Sequence, residues 1–196
     1  MRLIRNIFLF ALLILLSNCS TIIKFVYGIH DQQIESKKAI YRHAIRMSID
    51  TTNNFYVIDS SSAKKIMTGG FPKVYFYNSK GDLILPYHCF GQLKEYTDSL
   101  YKTNEFKVVN DKAIFEEMKN IRTFNNRKVE VELANTDFVI IYYWAAWMGK
   151  LNRIKLGWLE NKIRIDKRKN IKLIKVNADF QKSWNWSEEK CETIFK

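Results

Sequence analysis

Sulfur is scarce in this chain, and what it has is badly spaced for the usual sulfur chemistry. The 196 residues hold three cysteines, Cys19, Cys89 and Cys191, and no two of them form a Cys-x-x-Cys pair. That excludes a local dithiol redox motif and a cysteine-based zinc site. Histidine is equally rare. His30, His43 and His88 are scattered, and the neighbours His88 and Cys89 supply two ligands where a metal site needs three or four. No metal is expected. There is no Gly-x-Gly-x-x-Gly and no phosphate-binding loop, so nothing points to a nucleotide or any other cofactor. Low-complexity stretches and short-period repeats are absent too. The first apolar run, residues 7–16, falls well short of the roughly 20 residues a helix needs to cross a bilayer.

The chain opens like a targeting signal. Arg2 and Arg5 precede that apolar run, and Leu16-Ser17-Asn18-Cys19 closes it. The arrangement resembles a bacterial lipobox, which implies a signal peptide over residues 1–19 and a lipid attached through Cys19. Asn18 stands where the lipobox prefers Gly or Ala, and Ile22, Ile23, Phe25, Val26 and Tyr27 continue the apolar character beyond the cysteine. An uncleaved anchor over residues 7–26 and ordinary secretion are the alternatives. Each of the three places the remainder outside the cytoplasm. The expected location is the bacterial cell envelope, facing the periplasm and held to the membrane by the anchor, with residues 20–35 as a tether.

About 175 residues remain after the signal, enough for one large domain or two small ones. Apolar residues make up 47% of the chain and aromatic ones 14%, which suffices for a packed core. The net charge of +12 is densest over residues 162–170. Such a run suits either an anionic surface or the solvated end of a helix, whose negative pole favours cations. An exported protein has little occasion to meet nucleic acid, so none is expected as a partner. Cys89 and Cys191 stay open: an oxidising compartment lets them pair, or they remain two idle thiols.

Periodicity predicts helices over 36–49, 62–67, 91–101, the segment after 110–111, and 146–165. Strands are predicted over 55–58, 74–77, 83–85, 106–109, 128–133, 138–143 and 171–176, with a turn at 78–82. Asn110 or Asp111 is the expected cap of the helix carrying Ile114, Met118 and Ile121. Residues 138–143 are apolar without interruption, as a strand buried on both faces should be. The fold class is therefore α/β, a mixed sheet flanked by helices.

Two segments carry a family resemblance. Phe138 to Tyr143, followed by Trp144-Ala145-Ala146-Trp147-Met148-Gly149-Lys150-Leu151, resembles the buried strand and Trp-Ala-x-Trp-Cys-Gly-Pro-Cys helix start of the thioredoxin superfamily. Lys175-Val176-Asn177-Ala178-Asp179 is similar to that family's next strand. Gly70-Phe71-Pro72-Lys73 and the strand after it resemble the cis-proline strand, with Lys80-Gly81-Asp82 as its hairpin turn and the helix from Gly91 as the last helix. The resemblance implies that Pro72 is the cis-proline, beside a backbone edge that contacts substrate peptides. The order of the segments is reversed relative to the family. Residues 36–103 hold the cis-proline hairpin half and residues 104–196 the motif half. The sheet is therefore either one permuted domain, the favoured reading, or two abbreviated units in tandem.

The positions at which the resemblance implies thiols hold Met148 and Leu151. A thioether has no proton to lose, and leucine has no sulfur, so dithiol exchange cannot start there. The expectation leans away from an enzyme. The degenerate motif, Trp147, Met148, Gly149, Lys150 and Leu151, becomes one wall of a groove that holds an extended peptide or a partner protein. Trp144 and Trp147 either flank that groove or pack the strand–helix corner. An envelope thiol–disulfide protein acting through Cys89 and Cys191, or a structural component of an envelope complex using the basic helix end, are the alternative functions.

Overall fold

The computed structural model describes residues 19–51, 54–68, 70–86, 92–184 and 186. Residues 1–18, Cys89, His88, Cys191 and nearly all of the aromatic tail beyond Ser183 lie outside them.

The chain begins with helix α1 (Cys19–Tyr27), strand β1 (Ile34–Glu35), helix α2 (Lys37–Arg46) and strand β2 (Asn54–Val57). Helix α3 (Ser60–Met67), the hairpin β3 (Val74–Asn78) and β4 (Leu83–Pro86), and helix α4 (Leu93–Leu100) follow. The remainder is α5 (Ala113–Lys119), β5 (Ile121–Arg122), β6 (Phe138–Trp144), a 3-10 turn (Ala146–Met148), α6 (Lys150–Ile165), β7 (Ile171–Asn177) and β8 (Phe180–Gln181). Ser36 and Asp59 start α2 and α3 by accepting the backbone N–H groups of Ala39 and Ser62.

Six strands form one mixed sheet in the order β4-β3-β6-β7-β2-β5. Strands β6, β7 and β2 run parallel. Strands β3 and β5 are antiparallel to their neighbours, and β4 is antiparallel to β3. Strands from before and after residue 103 are interleaved in this one sheet. Beside β3 lie β4 and β6.

Every residue of β6 is buried, and the pleat divides them. Phe138, Ile140, Tyr142 and Trp144 enter one core with Ile40, Ala44, Leu93, Leu100, Leu156 and Leu159. Val139, Ile141 and Tyr143 enter the other, with Ile66, Ile114, Met118, Ile121 and Val176. Helices therefore cover both faces: α2, α4 and α6 on the first, α3 and α5 on the second.

Several expectations are corrected. Residues 20–35 are not a free tether. Helix α1 occupies Cys19–Tyr27, and β1 pairs in parallel with β8. Residues 106–109 form no strand, since only their last residue and Asn110 reach β4: the Val109 N–H donates to the Leu83 carbonyl at 2.7 Å, and a single bridge joins Asn110 to Leu83. Residues 128–133 also form no strand. A single bridge joins Lys128 to Arg122, and Val129, Val131 and Leu133 pack sideways onto the second core. Helix α5 is not capped by Asn110 or Asp111. Lys112 stands before it at φ 48°, and its N–H is taken by Asp82 from the hairpin turn at 2.8 Å. The long helix breaks at Gly149, so α6 starts at Lys150 and turns Asn152, Leu156 and Leu159 inward, leaving Ile154 half exposed at 50%. On α2, Ile40 and Ala44 face the core and Ile45 is 57% exposed.

The basic run at the end of α6 is held locally. Lys162 pairs with Asp98 and Asp166, Arg168 pairs with Asp166, and both cations lie over the Tyr101 ring. The Arg168 guanidinium holds the Asp166 carboxyl far below the usual carboxylate range. That is the solvated-helix-end reading in structural form.

Candidate functional site

The site grows from the end of β6. Trp144 is fully buried, and Ala145 continues extended into the 3-10 turn. The turn has no side-chain cap of its own. Asp179 supplies one from the far side of β7, accepting the Ala146 N–H at 2.7 Å and the Asn177 side-chain amide at 2.6 Å. Asn152 reaches back from α6 to donate to the Ala145 carbonyl at 2.6 Å. Burial raises the Asp179 carboxyl to about 6, against the pull of those two donors.

Within residues 147–151, Met148 is 4% exposed and Trp147 half-buried, while Lys150 is exposed. Gly149 sits at φ 53°, and a Cβ there would run into the carbonyl oxygens of Tyr27 and Gly28. Only glycine meets both demands. The end of α1 therefore lies against the motif, and the His30 N–H donates to the Trp147 carbonyl at 3.0 Å.

Pro72 is buried at the start of β3, and the Phe71–Pro72 peptide bond is cis. The Tyr143 N–H donates to the Lys73 carbonyl at 2.9 Å, which ties this turn to the last residues of β6. Phe71 meets Trp147 with ring centroids 5.4 Å apart. Pro72 and the motif are thus brought together, although they stand far apart in the sequence. Trp144 belongs to the core and lines no groove. Met148 is likewise too buried to offer a contact surface. Cys19 is the first described residue of α1, at the end of that helix opposite Tyr27.

Two pockets escaped sequence reasoning, because each draws on segments far apart in the chain. One, of about 290 Å³, lies on the second face between α3, β3 and α5, with Ser62, Lys65, Lys73, Tyr75 and Glu117 in its wall. The buried Tyr143 hydroxyl donates to the Glu117 carboxylate there, so Glu117 is not a solvated helix-start residue. Burial lowers the Lys73 ammonium and raises the Tyr75 hydroxyl to about 12, with the Glu117 charge adding to the second shift.

The other, of about 320 Å³, adjoins the motif itself. His30 and His43, scattered in the sequence, both line it, together with Arg46, Lys150 and Arg153. Among the described residues, no group of three or more His, Cys, Asp or Glu is placed to hold a metal ion.

No family model, no curated protein and no solved structure matches this chain.

Proposed function

We propose that this chain is a redox-inactive, thioredoxin-like protein, permuted in order, held to the bacterial envelope membrane as a lipoprotein. It binds an extended peptide or partner protein at the surface formed where the Phe71–Pro72 turn meets the Trp147 corner. The observation that carries the reading is the contact of Phe71 with Trp147, which joins the two segments bearing the resemblance into one surface. The composite sheet supports it as well, since β3 lies directly against β6.

The chemistry is binding rather than exchange. Met148 and Leu151 leave no thiolate at the corner, and Lys150 is the nearest charged group on the motif. The half-buried rings of Phe71 and Trp147 provide the apolar contact, which differs from the Trp147–Met148 pair expected from the sequence. Among the described residues, Gly70 and Phe71 make no backbone hydrogen bond, so their peptide groups remain for an extended ligand.

Two measurements test this. The purified full chain in detergent is expected to show no reduction of insulin disulfides, and turnover abolished by alkylating Cys89 would replace this reading with the thiol–disulfide one. A photo-crosslinking residue at position 71 is expected to capture a partner in cells. Capture no greater than from an exposed position on α5, such as Phe115, removes this binding surface.

A further inference from the structure

Helix α1 presents an apolar stripe to solvent. Ile22, Phe25 and Val26 are 48%, 87% and 54% exposed, and their spacing of three and four places them on one side. Nothing among the described residues covers them. Its nine described residues cover about 13 Å, against a hydrocarbon core of roughly 30 Å, and among the described residues no helix is long and apolar enough to cross a membrane. The sequence immediately before it holds the apolar run 7–16 behind Arg2 and Arg5.

Cations gather where the other end of α1 meets the fold. Arg46 from the end of α2, and Lys150 and Arg153 from the first turn of α6, line one pocket with His30 and His43. Lys24 stands on α1 itself. The carboxylates close by are Glu35, 4.0 Å from His43, Asp31, 3.7 Å from Lys24, and the buried Asp179, which accepts the Ala146 N–H at 2.7 Å. No acidic residue occupies the first turn of α6, so Lys150 and Arg153 sit at the positive pole of that helix with no compensating charge on it. Anions placed at this collar would relieve the arrangement.

We propose that this face rests on an anionic phospholipid bilayer. The stripe of Ile22, Phe25 and Val26 enters the headgroup–acyl boundary, and headgroup phosphates meet Arg46, Lys150 and Arg153. The proposal rests on the membrane attachment in the functional reading and extends it: the anchor fixes where the chain is held, and this face fixes how the fold is oriented. Residues 147–151 then lie next to the membrane, with the Phe71–Trp147 contact at its margin.

Flotation and hydrogen exchange separate the two ideas. The full chain is mixed with vesicles of phosphatidylcholine alone, or of phosphatidylcholine with an equal part of phosphatidylglycerol. It is expected to float with both, and amide exchange at residues 28–30 and 146–153 is expected to slow only with the anionic vesicles. Arg46→Glu with Arg153→Glu should remove that protection, and high salt should do the same to the unaltered chain. Each lost cation weakens the headgroup contact by roughly fivefold. Arg46→Gln with Arg153→Gln checks the result without charge reversal. Flotation with both vesicles but equal exchange in them overturns this surface and leaves the anchor. Flotation with anionic vesicles only supports the surface and overturns the anchor. Flotation with neither overturns both.

Discussion

Phe71 and Trp147 lie 5.4 Å apart between ring centroids, with their planes tilted by 33°, and they bridge the turn before β3 and the turn after β6. Both rings are half-buried, so each keeps one side in contact with solvent. A double-mutant cycle with Phe71→Ala and Trp147→Ala should give a coupling of about 1 kcal/mol in urea denaturation, the range of aromatic pairs. Additive losses would mean that the rings are neighbours without energetic linkage. Trp147→Ala should also lose the partner crosslinked from position 71.

Asp179 makes stability depend on pH. Its folded-state value, about 6, stands above that of an aspartate in an unfolded chain. Its contribution is therefore complete below about pH 4 and declines as the pH rises through 6, by about 3 kcal/mol in all. Asp179→Asn should flatten the stability profile over that interval, measured by urea denaturation at a series of pH values. An unchanged slope in the variant would place the titration elsewhere.

Gly149 controls the docking of α1. Gly149→Ala demands a left-handed backbone from a residue with a Cβ, at a cost of about 1–2 kcal/mol, and pushes that Cβ into the Tyr27 and Gly28 carbonyls. The expected outcome is faster amide exchange at His30, whose N–H donates to the Trp147 carbonyl, with exchange in β6 unaltered. Equal protection of His30 in the variant would show that the close approach is easily relaxed.

Lys175 is 4% exposed on the first face of β7, between Glu160 at 2.9 Å and Asp50 at 3.2 Å. The two partners differ in burial: the Glu160 side chain is 24% exposed and that of Asp50 is 60% exposed. Glu160→Gln should cost about 2–3 kcal/mol, because it removes the better-shielded partner of a buried cation. Asp50→Asn should cost under about 1 kcal/mol, as exposed pairs do. Equal losses from the two substitutions would contradict the ranking by burial.

Much of the architecture was legible from local pattern. An uninterrupted apolar run with no polar face had to be an interior strand, and 138–144 is one. Asn78, Gly81 and Asp82 marked a hairpin turn, and the Gly81 φ of 85° with Asn78 accepting the Lys80 and Asp82 N–H groups is how it closes. Residues 106–109 and 128–133 failed for the opposite reason. Alternation shows that one face is apolar, but a strand also needs a neighbour's hydrogen-bonding groups, and no full edge was left for either segment.

The site divides along the same line. The amino-acid sequence alone determined that exchange chemistry has no thiol at the corner after β6, because side-chain chemistry at Met148 and Leu151 does not depend on folding. It also determined a two-sided core and the cationic surplus. Only the tertiary structure decided that α1 closes on Gly149, that Phe71 meets Trp147, and that His30, His43, Arg46, Lys150 and Arg153 share one pocket. Those relationships join segments tens of residues apart, and such distances are set by how the helices pack on the sheet, which no local spacing encodes.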